Sequence, residues 1–394
     1  MERALLHVSE ELLRGVEARV SQRAQPIVGE ALGRTGYVDG SNVLDERRSV
    51  HLAMFSVASV ILSGGRLSAL ARGASQPVVS IIVPKSYGEQ RANLYMSLIE
   101  LLAARRVLDA GVDSVFLDGS LVSEIMVIFS HPRDVVEKLR RGRGEWLDLF
   151  PGQALEKVSL EIEDLTPGPI ARLLREISEK AWQLYNMRAS GGEAGAARKN
   201  LLDFAYVYVE TTVYLEALKR LLLVSRDLGV PVFWVAKDSE TSSLVEAEGL
   251  EGWLNDVTLL DYAWRDLEDA YMTIKGNKFG DPRPCAADYT LVQELFREWG
   301  NYSISYFKLR KMGPVLQMTY PEHVGEDQVL SALATLKEVS ESRGYPKPLS
   351  YVHHLAVLNP EVARLVADEI YRRTEDSIVR AAYAPTGRAK AGLR

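Results

Sequence analysis

The chain carries one tetrapeptide pattern twice, as Val38-Asp39-Gly40-Ser41 and as Leu117-Asp118-Gly119-Ser120, each closing an apolar run. An Asp at the carboxyl end of a strand projects its carboxylate over the sheet edge. The Gly after it lets the backbone turn and lets a bulky ligand approach closely. Between the two copies lies a helical segment from about Arg91 to Ala110, stopped by Gly111. It carries Glu100 among Met96, Ser97, Ala103, Ala104 and Val107, its neighbours at helical spacing. A glutamate on such a small, apolar face is costly to bury unless its charge is compensated. A single Asp-Gly-Ser is turn chemistry, and Glu100 alone would serve as an ion-pair partner of Arg91 or Arg105. The order strand-Asp, helix-Glu, strand-Asp asks for more. It predicts an α/β fold that gathers carboxylates at one sheet edge, where a divalent cation relieves their repulsion.

The remaining pattern extends this core. Residues 1–30 read as an amphipathic helix, with Leu5, Leu6, Leu12, Leu13, Val16 and Val20 at helical spacing. Strands are expected at Tyr37 to Asp39, His51 to Leu62, Pro77 to Val83, Val112 to Leu117 and Val232 to Val235, with Gly64-Gly65 as a turn. Tyr302 to Leu309 and Val315 to Tyr320 alternate around Met312-Gly313-Pro314 and read as a hairpin. A charge-rich helical stretch covers roughly 121–190, and Ser190 to Ala196 reads as a linker. Asn200 is placed to cap a helix running to Leu228. Helices near 327–341, 348–358 and 360–378 complete one elaborated domain over 1–394. Its parts are an N-terminal helix (1–30), a first portion of core (31–120), a helical insertion (121–200) and the remainder of the core with C-terminal helices (201–394).

Composition narrows the function classes. With no uncharged apolar run of about 18 residues, no membrane span is expected. Met1 to His7 lacks a signal-peptide core. One cysteine, Cys285, excludes an internal disulfide and a cysteine-built zinc site, and fits a reducing cytoplasm. The net charge of −6 does not forbid a nucleic-acid partner, because local patches and bound cations set the field at a site. Basic clusters occur at Lys138 to Arg143, Arg198-Lys199, Lys308 to Lys311 and Arg388 to Arg394, dispersed as for weak backbone binding. No Gly-x-x-x-x-Gly-Lys-[Ser/Thr] pattern is present, so any translocation energy would come from another chain.

The acidic order resembles that of ribonuclease-H-like nucleases. More specifically, the chain resembles the NurA family of archaeal DNA-end-processing nucleases. The stretches that carry the resemblance are Tyr37 to Ser41, Ser97 to Glu100, Phe116 to Leu121, Val235 to Ser239, Asn255 to Leu260 and Pro348 to His353. The resemblance implies a ribonuclease-H-like mixed sheet flanked by helices. It implies Asp39, Glu100, Asp118 and His353 as metal ligands, with Lys237 at the site against a substrate phosphate. His353 would bind metal as neutral imidazole or relay a proton to the leaving oxygen, and the His353-His354 doublet offers two imidazoles for that place. Asp256 is a weaker candidate, since a helix N-cap explains it equally well. Oxygen ligands with one imidazole suit manganese or magnesium, and the nitrogen favours manganese. The family implies a pair of Mn²⁺ ions, 5′ exonuclease and single-strand endonuclease activity on DNA, and a homodimer. It also implies a hexameric HerA-type ATPase partner in end resection during recombinational repair. Two other readings are a phosphohydrolase of small substrates and a catalytically silent subunit that docks the ATPase.

Overall fold

A computed structural model describes residues 10–122, 159–162, 164–189, 195–250, 254–278, 297 and 299–387. Helix α1 (Glu10–Gln22) leads into a meander of β1 (Arg34–Glu46), β2 (His51–Ser63) and β3 (Arg66–Arg72), while β4 (Val78–Ile82) pairs with the other half of β2. Helix α2 (Gly88–Asp109) then crosses over to β5 (Ser114–Asp118), which lies parallel to β1. Helices α3 (Pro167–Ala189) and α4 (Gly195–Leu228) precede β6 (Val232–Ala236), parallel to β5. The short α5 (Ser243–Ala247) and α6 (Asp256–Ala263) lead to an antiparallel run of β7 (Ala270–Lys278), β8 (Asn301–Lys308) and β9 (Val315–Pro321). Among the described residues four helices follow: α7 (Glu326–Glu338), α8 (Lys347–Ala356), α9 (Pro360–Arg373) and α10 (Ser377–Ala382). The sheet order is β3-β2-β1-β5-β6-β9-β8-β7. Three antiparallel strands feeding two parallel ones give the mixed, ribonuclease-H-like arrangement expected from the sequence.

Strand alternation gives this sheet two apolar faces. Val38, Val115, Leu117 and Trp234 face a core that holds α2, α3 and α4. Tyr37, Phe116, Phe233 and Val235 face the other core, with α7 and α8. On that second face, rings from four adjacent strands form a ladder. Tyr37 stacks on Phe116 at 5.3 Å, Phe116 on Phe233 at 5.6 Å, and Tyr320 meets Phe233 edge-on at 5.5 Å. The registers Tyr37↔Phe116 and Phe116↔Phe233 hold the rings side by side. Aromatic cross-strand pairs of this kind fix register, and here they fix it directly beneath the acidic residues.

Several sequence expectations shift. The first strand runs to Glu46 rather than ending at Asp39, because Gly40 to Glu46 continue to pair with β2 down to His51. β3 and β7 were not expected. β3 is a largely exposed edge strand, and β7 breaks its register between Ile274 and Asn277. The N-terminal helix stops at Gln22 rather than near residue 30, since Pro26 disfavours helix just before it and Gln25 bonds Tyr271 instead. Asn200 lies inside α4, which begins at Gly195. The final helix divides because the Asp376 side chain caps a new one at Ile378 and Val379. Residues 123–158 of the helical insertion, the basic run Lys138 to Arg143, most of the Ser190 linker, Cys285 and the tail from Arg388 lie outside the described residues, as do Leu5 and Leu6. Among the described residues no helix is long and apolar enough to cross a membrane.

Candidate metal centre

The site is built by counting two residues along each strand from the aromatic ladder. Asp39 follows Tyr37 by two and Asp118 follows Phe116 by two, so both carboxylates leave the face that the rings occupy. The β1–β5 pairing ends at Val38↔Leu117, which places Asp39 and Asp118 side by side just beyond it. Asp118 is the last residue of β5, and Gly119 takes a φ of +132°, a turn that suits glycine. Asp39, by contrast, sits within β1 and marks the end of its parallel pairing rather than the end of the strand.

Helix α8 lies over this face and brings His353 to the two acids. Its Nδ1 is 2.8 Å from Asp39 Oδ2 and 3.9 Å from Asp118 Oδ2. The neighbouring His354 turns its Nδ1 to the Ser350 carbonyl within its own helix. Of the two imidazoles, His353 is the one that faces the acids. Asp39, Asp118 and His353 each offer one ligand atom, and those atoms all lie within 4.8 Å of one another. Two carboxylates and one imidazole at that spacing are a donor set that a divalent cation of the manganese or magnesium type fits.

Glu100 lies on the opposite side of the sheet, against Gly40. It is buried, and it is not one of the three converging groups. Its carboxylate lies against Gly40: a Cβ on that glycine would stand 2.6 Å from Glu100 Oε1. Alternation explains the arrangement, for Gly36 and Gly40 turn toward α2 while Tyr37 and Asp39 turn away. The glycine of the first Asp-Gly-Ser thus opens the sheet to the glutamate instead of making a turn. Arg91 and Arg105 pair elsewhere, with Glu210 and Asp109.

Lys237 continues the same face just past the end of β6, and its Nζ bonds Asp118 Oδ2 at 2.7 Å. Sequence reasoning missed Tyr345, which lies in the turn before α8, eight residues ahead of His353. Lys237 Nζ stands 5.0 Å from the centre of its ring. Its hydroxyl is buried without a hydrogen-bond partner among the described residues. Burial, with the charges of Asp118 and Asp39 added, pushes its pKa well up, so the group stays a neutral donor. A Tyr-Pro step at a helix start was the only local sign, and it reads first as a helix boundary. Asp256 belongs to another network. Asn255 is the N-cap of α6, while Asp256 accepts from the Leu244 and Val245 N–H groups and from the Tyr306 hydroxyl.

The centre is under electrostatic tension. Burial first, then the charge of Asp118, pushes the Asp39 carboxyl up to about 6, and its bonds to His353 and the Gly40 N–H only partly offset this. An acid whose folded pKa is raised is neutral in both states below about pH 4. It then destabilises the fold increasingly as pH rises through about 6. The full penalty is on the order of 1–3 kcal/mol, given water close by. Asp39→Asn is accordingly expected to be more stable than the parent chain by about that amount at pH 8 in EDTA, and equal to it near pH 3. Urea unfolding at the two pH values checks this, and equal stabilities at pH 8 would refute the tension.

A family model of the NurA domain matches residues 34–358. Among solved structures, the NurA nuclease from Sulfolobus solfataricus is similar at 17% identity over 93% of both chains, with a TM-score of 0.59. A further NurA crystal structure is 13% identical over 95% of this chain and 96% of the other, with a TM-score of 0.62. A NurA structure bound to dAMP and manganese is 14% identical over 93% and 94%, with a TM-score of 0.56. A comparison with curated protein sequences finds no match. With the family model spanning the whole sheet and the acidic centre, the chain belongs to the NurA family of nucleases.

Proposed function

We propose that this chain is a manganese-dependent DNA nuclease that hydrolyses phosphodiester bonds at the Asp39–Asp118–His353 centre. The observation that carries the reading is the convergence of those three ligand atoms over one face of the sheet. Family membership and the related structure that holds dAMP and manganese support the substrate class and the metal. Asp39 and Asp118 hold the cation through carboxylate oxygens, and His353 offers an imidazole nitrogen. Glu100, through the gap at Gly40, completes the acidic set. When bound, the metal supplies Lewis acidity, lowering the pKa of water and offsetting charge on phosphoryl oxygens. Lys237 presents an ammonium to a substrate phosphate from the rim. In the other role open to it, His353, 46% exposed and hydrogen-bonded to Asp39, would hand a proton to the leaving oxygen instead of binding the cation. The finer parts of the reading follow the family resemblance. They are a pair of ions, 5′ exonuclease and single-strand endonuclease activity, a homodimer, and a HerA-type ATPase partner in cytoplasmic end resection.

Incubation of the purified chain with end-labelled single-stranded DNA tests the reading. Degradation is expected with Mn²⁺ and none with EDTA. Metal-independent cutting, or no cutting with any divalent ion, would contradict it. Gly40→Ala probes the role of Glu100, since the new methyl collides with the Glu100 stem at 2.9 Å as well as with its oxygen. The displacement is expected to lower cleavage about 100-fold, because ångström-scale misplacement at a reacting centre costs that much. A stability loss of about 1–3 kcal/mol accompanies it. Cleavage at the parental rate would remove Glu100 from the centre.

A further inference from the structure

At the far end of the sheet from the acidic centre lies a cavity of about 340 Å³ with a different chemistry. Because β9 runs antiparallel to β6, its last residues sit beside the start of β6, whereas Lys237 follows that strand's end. The strand rise separates the two ends by roughly 15 Å. The cavity is lined by Arg226 from the last turn of α4, by Arg297, Trp299 and Asn301 at the entry to β8, and by Glu322 and His323 after β9.

The lining is rich in donors and poor in acceptors. Arg and Trp side chains donate only, and the Asn amide donates through its nitrogen. Arg226 lies over the Trp299 ring at 5.0 Å, and His323 meets the same ring edge-on at 5.0 Å. Trp299 is 6% exposed, and its indole N–H is buried without a hydrogen-bond partner among the described residues. Within the described residues that donor is one an acceptor bound in the cavity would satisfy. Burial, and then the charge of Arg226, lowers the His323 pKa, so the imidazole is neutral, with one donor and one acceptor nitrogen, rather than a second charge beside that arginine. Arg226 also stands 3.8 Å from the exposed Asp227. Among the described lining residues the one carboxylate, Glu322, lies toward β7, with Oε1 3.8 Å from where a Cβ on Gly276 would stand.

The geometry points to a second anion-binding site, in which Arg226, Arg297, Trp299 and Asn301 receive a phosphoryl group remote from the acidic centre. Two guanidinium groups lining one cavity with an aromatic platform are a donor set that suits phosphate oxygens. The volume accommodates a ligand of mononucleotide size. The phosphoryl group has two possible sources, the terminal phosphate of a released nucleotide or the backbone of a bound strand.

Titration calorimetry on the full chain in EDTA, with inorganic phosphate, dAMP and an oligonucleotide blocked at both ends, tests the site and separates the sources. Saturable uptake is expected, weakened about tenfold or more in Arg226→Ala/Arg297→Ala and measurably in Trp299→Phe, which keeps the ring but loses the N–H. Arg297→Ala alone, at an exposed position, is expected to weaken uptake about threefold or more should the double variant not fold. Uptake of dAMP and phosphate but not of the blocked strand assigns a terminal phosphate. Uptake of the blocked strand that the same substitutions abolish assigns the backbone. No saturable uptake by the parent chain, or equal uptake by it and the variants, would overturn the proposal.

Discussion

Asp118→Asn is expected to reduce manganese-dependent DNA cleavage at least about a thousand-fold, which is ~4 kcal/mol of barrier. The substitution preserves size and removes only the charge. Asp118 Oδ2 accepts from Lys237 and lies 3.9 Å from His353, so the loss strikes metal binding and phosphate positioning together. The strand is not at risk. Its pairing to β1 and β6 is carried by backbone bonds and by the ring ladder below, not by the carboxylate. Fold and melting behaviour are therefore expected to survive while turnover does not. Single-turnover cleavage with saturating Mn²⁺ reads the effect. A variant that cuts within tenfold of the parent would place the chemistry elsewhere.

The second large effect lies in the core. Arg91 at the start of α2 is nearly wholly buried and pairs with Glu210 of α4, itself fully buried. Arg91 Nε approaches both Glu210 oxygens, at 3.0 and 2.8 Å, and the Tyr95 hydroxyl donates to the same carboxylate at 2.6 Å. The guanidinium also donates to the carbonyls of Val83 and Pro84 and lies 4.9 Å from the centre of the Tyr206 ring. Removing one member of such a pair leaves an uncompensated buried charge, which costs about 3–5 kcal/mol. Arg91→Met is expected to lose stability by that amount in urea unfolding. Arg91→Met/Glu210→Leu is expected to recover most of it, because an apolar pair of similar volume avoids the desolvation of two ions. A single variant within about 1 kcal/mol of the parent would refute the account. Since α2 carries Glu100, this network also anchors the helix that packs Glu100 against Gly40.

What the sequence made legible follows from how local each signal is. Period-two alternation and glycine breaks located β2, β4, β5, β6, β8 and β9 to within a few residues, and Gly111 stopped α2 as expected, with φ at +73°. The acidic order brought Asp39 and Asp118 together as expected but also called for Glu100, which is not in that group, while His353 entered only through the family resemblance. The role of Gly40 was not legible. Asp-Gly-Ser reads as a turn, and only the long antiparallel pairing with β2 keeps Asp39 inside a strand. Nor was the separation of Asp39 and Glu100 onto opposite faces, which depends on how α2 and α8 sandwich one strand. Tyr345 was silent because its proximity arises from a turn between α7 and α8 rather than from any periodic element. β3 and β7 lack clean alternation, so neither announced itself, and their places come from partners already in the sheet.

The account stands on two strand acids and a helix imidazole sharing one cation. Crystals of the full chain soaked in manganese, with diffraction collected at an energy where that element scatters anomalously, test it most directly. The expected result is an anomalous peak bounded by Asp39, Asp118 and His353, lost in Asp118→Asn. An anomalous map with no peak there, or with its strongest peak away from those three side chains, would contradict it.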